Sequence, residues 1–184
     1  MKKFSRRTKK KTDYRQRLTL LRSQKIRAVI RVSNKNVRIQ FVRYEKDGDT
    51  TALDISSKNI VKLGWLGSSS SIPCAYLVGF LAGKEAQKKN WNDAILDIGL
   101  AKSHKGSVIY AAAKGIVDSG ITMPLGEVAP PAERISGSHI AEYAKKLKQS
   151  DESAYKRQFS LFIKKGFDPA NIEKHFEEIK AKIQ

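Results

Sequence analysis

The sequence predicts an α/β protein: a mixed β-sheet with an antiparallel meander and packed helices, a basic N-terminal arm and a C-terminal helical extension. Three observations predict it. Apolar residues alternate with a period of two between Ile26 and Ile55, as they do on half-buried strands. Two apolar, helix-length segments follow with a strand-like run between them, which sets helices against a mixed sheet. After residue 138 the apolar period becomes that of amphipathic helices. The 184 residues, 40% of them hydrophobic, suffice for one domain with a real core and a small appended unit.

The elements follow in order. Residues 14–24 read as a helical continuation of the arm, with Leu18, Leu21 and the stem of Arg22 on one face. Ile26, Ala28, Ile30 and Val32 mark a first strand. Asn34-Lys35-Asn36 reads as a tight turn, because Asn tolerates positive φ. Val37, Ile39 and Phe41 mark a second strand, Lys46-Asp47-Gly48-Asp49 a turn, and Thr50 to Ile55 a third strand. A Ser-rich loop, 68–71, precedes Pro73, which suits a first helical position. That helix runs to about Lys89, and its Gly79 and Gly83 allow close approach of another backbone. Asp93 to Leu100 reads as a buried strand, and Lys105 to Val117 as a helix ended by Gly120.

Residues 124–137, with Gly126, Pro130 and Pro131, read as a linker or extended crossing segment. Three short helices close the chain. Their stripes are Ile140/Tyr143/Ala144/Leu147, Tyr155/Phe159/Phe162/Ile163 and, after the Asp168-Pro169 cap, Ile172/Phe176/Ile179/Ile183. They are expected to form a local core rather than dock on a neighbour. The expected division is an arm at 1–24, a core domain at 25–123, the linker at 124–137 and the helical extension at 138–184.

Charge is the outlier. Lys and Arg number 36 against 18 acids, a net of +18. Residues 1–31 hold 13 of the bases against the single acid Asp13, so two-thirds of the net charge lies in the first sixth of the chain. Like charges at this density repel, and the residues before Tyr14 are expected to be disordered until a polyanion neutralises them. A localisation signal needs only about five to eight basic residues. Here the cations continue into the first strand, so arm and body share one positive surface. The candidate RNA-binding cations are Lys2, Lys3, Arg6, Arg7, Lys9, Lys10, Lys11, Arg15, Arg17, Arg22, Lys25 and Arg27, with Phe4 and Tyr14 as stacking surfaces among them. The arm lacks the apolar face of an interfacial membrane helix.

Other chemistries find little support. Gly79-x-x-x-Gly83-Lys84-Glu85 is one residue short of a P-loop and has Glu85 where a magnesium-holding hydroxyl is required. Asp54, Asp97 and Asp118 offer no tight acidic pair for a two-metal nuclease. Ser68 to Ser71 lack a nucleophile-elbow context. Ser69 and Ser70 either cap a helix in a flexible loop or help hold a phosphate at its start. His139, also at a helix start, either contacts RNA or packs. Cys74 is the one cysteine, and the three histidines are scattered, so neither a disulfide nor a Cys-rich zinc site is expected. A reducing compartment is the default reading. The apolar stretch Pro73 to Ala82 is too short to span a membrane. No catalytic residue, metal or cofactor is expected. An RNA-processing enzyme and a DNA-binding chromatin protein stand as alternatives.

Several short motifs occur in a known order: Lys11-Thr12-Asp13-Tyr14, Arg31-Val32-Ser33-Asn34, Ala75-Tyr76, Asp97-Ile98-Gly99-Leu100-Ala101, Lys114-Gly115-x-x-Asp118-x-Gly120 and Tyr155-Lys156-x-Gln158-Phe159-Ser160. In this ordered set the chain resembles the large-subunit ribosomal proteins that bind 5S rRNA, L-eighteen of bacteria and archaea and L-five of eukaryotes. It is most similar to the archaeal form. The bacterial form resembles the central body and lacks the helices after about Arg134. The eukaryotic form carries a long insertion where this chain has only Lys89 to Asp93, and a further C-terminal extension. The resemblance implies a three-layer mixed sheet with helices and a non-enzymatic place in the central protuberance of the cytoplasmic ribosome's large subunit. It implies contacts to 5S rRNA, 23S rRNA and neighbouring large-subunit proteins, and no membrane partner. By match to the family's basic arm it marks Lys9, Lys10, Lys11, Tyr14, Arg15 and Arg17 as RNA contacts.

Overall fold

The computed structural model describes residues 4–184; Lys2 and Lys3 of the expected interface lie outside the described residues. The chain opens with a one-turn helix α1 (Ser5–Thr8) and a two-turn helix α2 (Tyr14–Leu21). Asp13 caps α2: its Oδ1 accepts from the backbone N–H of Arg15 (2.9 Å) and Gln16 (3.2 Å), satisfying two of the donors a helix start leaves open. The expected disorder before Tyr14 rested on charge repulsion alone. Local contacts oppose it in the described residues. Phe4 stacks on Tyr14 with centroids 5.1 Å apart, and Arg6 Nε donates to Thr12 Oγ1 at 2.9 Å.

The meander is β1 (Arg27–Ser33), β2 (Asn36–Glu45) and β3 (Gly48–Ser56), all antiparallel. The Asn34-Lys35 turn uses no positive φ. Its carbonyls are instead held from outside by the Ser-rich loop. A register shift after Phe41 leaves Ala52 as an extra residue in β3. Lys89 Nζ donates to the freed Ala52 carbonyl at 2.7 Å. Helix α3 (Ser57–Lys62) follows directly, then α4 (Ile72–Lys88), with Pro73 in its first turn as expected.

The run expected as a strand from Asp93 to Leu100 shortens to β4 (Ile95–Asp97), which pairs parallel to β1 and gives the order β3-β2-β1-β4. It ends where Gly99 takes a φ of +62° directly beneath Arg31; a Cβ there would lie 2.7 Å from the Arg31 Nη2. Helix α5 (Val108–Asp118) starts later than expected because Gly106, at φ +74°, turns the chain first. It lies against α4 at backbone contact. A Cβ on Gly79 would sit 2.0 Å from the Ala112 carbonyl oxygen, and one on Gly115 2.2 Å from that of Tyr76.

The segment 124–137 holds a 3-10 turn (Gly126–Val128) and helix α6 (Ala132–Ser136), whose Ile135 is buried in the main core. Helices α7 (Ser138–Ser150), α8 (Glu152–Gln158), α9 (Ser160–Lys164) and α10 (Ile172–Ile183) complete the chain. Ala144, Tyr155 and Phe159 form a small cluster of their own. The α10 stripe does otherwise: Ile172, Phe176 and Ile179 are buried in the main core. Phe176 meets Tyr76 of α4 at 5.7 Å, and His175 stacks on the buried Trp65 at 5.3 Å.

Alternation along the strands sorts the sheet's two faces. Ala28, Ile30, Ile39 and Phe41 belong to the core shared with α4 and α5. Arg27, Val29, Arg31, Gln40, Val42 and Thr51 face the other way, and there α2 lies across them. Arm, sheet and helices make three layers.

Candidate nucleic-acid interface

The arm is fastened by charge. Neither α1 nor α2 contains a buried residue. Leu18, expected to share one face of α2 with Leu21 and the Arg22 stem, stands 63% exposed. The rotation of the helix is set instead by Arg17. Its guanidinium grips Asp49 at both ends, Nη1 to Oδ2 at 2.6 Å and Nη2 to Oδ1 at 2.9 Å. A forked pair of this kind fixes orientation as well as distance. The Lys10 backbone takes a φ of 51° and turns the chain, so that Lys11 N–H donates to the Arg6 carbonyl at 2.9 Å.

This arrangement sorts the candidate cations into two groups. Arg6, Arg7, Lys9, Lys10, Lys11, Arg15 and Arg22 are exposed, and none of these seven forms an ion pair among the described residues. Lys25 meets Asp93 at 2.8 Å with both side chains about half exposed, a pair that water or phosphate readily opens. Arg17 and Arg27 are committed within the protein. Arg27 is 4% exposed, so the expectation that it presents a guanidinium on the surface is not met. Its Nη2 lies 2.6 Å from Asp49 and its Nη1 3.1 Å from Asp97. The physical reason is burial: a guanidinium withdrawn from water must be paired.

Between arm and sheet runs a cleft of about 810 Å³, bordered by Arg6, Lys11 and Tyr14 on one side and by Val29, Arg31, Gln40 and Thr51 on the other. Asp49 and Asp97 lie in its floor. Burial on its own would raise the Asp49 carboxyl; hydrogen bonding and charge from Arg17 and Arg27 outweigh it and hold the group below the usual carboxylate range. The Arg17 guanidinium is raised in turn by its hydrogen bonds to Asp49.

Ser69, Ser70 and His139 do not join this surface. The Ser69 hydroxyl donates to the Lys35 carbonyl at 2.8 Å and that of Ser70 to the Asn34 carbonyl at 2.9 Å. Both protons fasten the β1–β2 hairpin tip. His139 sits partly buried beside a separate, mainly apolar groove of about 310 Å³ with Tyr143, Phe159, Phe162 and Ile172; its Nδ1 is buried without a hydrogen-bond partner. That groove shares no residue with the arm cleft.

The acids weighed for metal chemistry are engaged in ion pairs. Asp54 pairs with Arg38, Asp97 with Arg27 and Arg31, and Asp118 with Lys114 while accepting the Tyr76 hydroxyl. Among the described residues no three His, Cys, Asp or Glu side chains converge as a metal site, and no helix is long and apolar enough to cross a membrane. Sequence reasoning missed Asp49 and Asp97 as supports of the arm. The available signal was Asp97, an aspartate falling on a strand expected to be buried, whereas Arg27 fell on one expected to be half-buried.

The chain matches known proteins along its length. Residues 1–94 match the family model described as ribosomal large subunit proteins 60S L5 and 50S L18. Over 181 residues it is 43% identical to large ribosomal subunit protein uL18 of Methanococcus maripaludis, covering 98% of this chain and 93% of that one. Over 183 residues it is 45% identical to large ribosomal subunit protein uL18 of Caldivirga maquilingensis, covering 98% and 88% respectively. These relatives are archaeal structural proteins of the ribosome, not enzymes. With a charged, folded arm laid over a mixed sheet and this likeness along its whole length, the chain belongs to the family of ribosomal large-subunit proteins that comprises 60S L5 and 50S L18.

Proposed function

We propose that the chain binds 5S rRNA through its arm and the adjoining open sheet face, and helps anchor it to 23S rRNA in the central protuberance beside neighbouring large-subunit proteins. One observation carries this reading. Seven exposed arm cations have no acidic partner among the described residues, and two of them, Arg6 and Lys11, border a cleft that continues onto the sheet. Cations left unpaired on a folded surface suit a polyanion of defined shape. Arg6, Arg7, Lys9, Lys10, Lys11, Arg15 and Arg22 meet phosphates, together with Lys2 and Lys3 outside the described residues. Lys25 exchanges Asp93 for phosphate. Tyr14, half-buried beneath Phe4, offers a stacking surface for an unpaired base. Arg17 and Arg27 act from behind by holding the arm in place.

Competition tests this reading. A 5S rRNA probe bound at about 0.15 M salt should resist duplex DNA of equal phosphate content, and hydroxyl-radical footprints should shrink when residues 1–11 are removed. Equal competition by duplex DNA would favour a generic polyanion binder instead. Specific RNA cleavage with magnesium or manganese, abolished by Asp97→Asn, would favour an enzyme.

A further inference from the structure

Under the arm, five side chains alternate in charge across four elements. Arg17 of α2 meets Asp49 of β3; Asp49 meets Arg27 of β1 at 2.6 Å; Arg27 meets Asp97 of β4 at 3.1 Å; and Asp97 meets Arg31 of β1 at 3.1 Å. Asp97 also accepts the Gly99 N–H at 2.9 Å, and its carbonyl accepts from Arg31 Nη1 at 2.8 Å. The network is anchored in its middle, where the Arg27 and Asp97 side chains are 5% and 10% exposed. It opens outward to Arg17 at 28% on one side and to Arg31 at 48% on the other. Helix α2 spans eight residues and buries none of them. A helix this short is not stable alone in water, since nucleation costs more than two turns return. Its apolar contribution is small, since Leu20 and Leu21 are only partly buried and Leu18 is exposed, and the forked Arg17–Asp49 contact is the ion pair that ties it to the sheet.

We propose that Asp49 is a positioning residue: it latches the arm helix to the sheet and so arrays the arm cations before RNA arrives. The idea rests on the RNA-binding reading for its consequence but not for the latch itself. It makes a prediction opposite in sign to simple electrostatics. An acid in the floor of an RNA-facing cleft repels phosphate, so neutralising it should tighten binding. If Asp49 latches the arm, neutralising it should weaken binding, because only the docked fraction of the protein is then competent. A docked fraction of about one tenth raises the apparent Kd about tenfold.

The test uses the full-length protein in four forms: wild type, Asp49→Asn, Asp49→Glu and Arg17→Gln. Arg17→Gln leaves the Arg27–Asp49–Asp97 core of the network intact, so it keeps the question open should Asp49→Asn fail to fold. Hydrogen exchange of the free protein is read at the α2 amides, and Kd for 5S rRNA at fixed salt. The expected result is fast α2 exchange in Asp49→Asn and Arg17→Gln with unchanged exchange in α4, a several-fold rise in Kd for both, and recovery of protection and affinity in Asp49→Glu. Unchanged α2 protection in Arg17→Gln would overturn the latch, as would tighter RNA binding by Asp49→Asn. If wild type shows no preference for 5S rRNA, the functional reading fails while the exchange data still decide the latch.

Discussion

Replacing Phe176 by alanine asks whether the last helix is part of the folded body. Its side chain is 2% exposed and lies against Tyr76 of α4, and its neighbours Ile172 and Ile179 are fully buried. Truncating a buried phenylalanine costs about 3–5 kcal/mol, the lost transfer energy plus the cavity left behind. A domain of ordinary stability has about 5–15 kcal/mol in all, so this is a large share. With a urea m-value of about 2–3 kcal/mol/M the unfolding midpoint falls by roughly 1–2 M. Tryptophan fluorescence is a suitable readout. Trp65 stacks on His175 of α10, and Trp91 lies 5.9 Å from Phe41 of the sheet, so both ends of the core report. One transition, shifted as a whole with its slope kept, is the expected outcome. A shift below about 0.3 M would mean that α10 rides on the body without stabilising it, and would refute the packing argument.

Further outcomes follow from the same contacts. Gly115→Ala would place a methyl 2.2 Å from the Tyr76 carbonyl oxygen; with backbone on both sides unable to yield, it should lower stability by about 2–3 kcal/mol in the same urea assay, although alanine is the better helix former. Burial pushes the Cys74 thiol up to about 12, so a thiol reagent at pH 8 should leave it unmodified for as long as the protein stays folded and label it fully in denaturant. The Asp49 carboxyl is held below its usual range, so its contribution is complete above the unfolded value near 4 and is lost as pH falls through the lower folded value; amide NMR signals of α2 should stay constant from pH 7 to 5 and move only below about pH 4. Replacing Ser69 and Ser70 together by alanine removes both hydroxyls that hold the hairpin tip and should cost about 1–2 kcal/mol of stability without changing RNA affinity.

Local patterns were legible and long-range partners were not. The period-two alternation through Ile30, Ile39 and Phe41 identified the buried sheet face, and the Gly79/Gly83 spacing identified a close helix contact, because both signals lie within one element. Nothing local says that Arg27 is buried: its partners are 22 and 70 residues away and become neighbours only when β3 and β4 flank the central pair. Leu18 misled for a related reason. An apolar residue on a short helix suggests a packed face, but here an ion pair to Asp49 sets the rotation. The C-terminal stripes announced buried faces correctly at Ala144, Tyr155, Phe159, Ile172, Phe176 and Ile179, whereas Tyr143 and Ile163 stand 49% and 44% exposed. A stripe does not name its partner, and so the α10 stripe joined the main core while Tyr155 and Phe159 made a local one. The serines of the 68–71 loop fitted two readings by composition, a helix cap or a phosphate hold, and the hydroxyls of Ser69 and Ser70 instead donate to the carbonyls of the hairpin tip, a partner more than 30 residues away.

The central claim is that the exposed arm cations meet phosphates of 5S rRNA from a docked position. The salt dependence of binding measures this most directly. If the seven exposed cations each neutralise one phosphate, log K should fall against log salt with a slope of roughly −5 to −6, at about 0.7–0.9 per contact. A protein carrying Lys9→Gln, Lys10→Gln and Lys11→Gln should show a slope flatter by about 2–3, with the Phe176 core and its urea midpoint untouched. A slope that stays the same in the triple variant would contradict the account, since those cations would then face solvent in the complex as they do in the free protein.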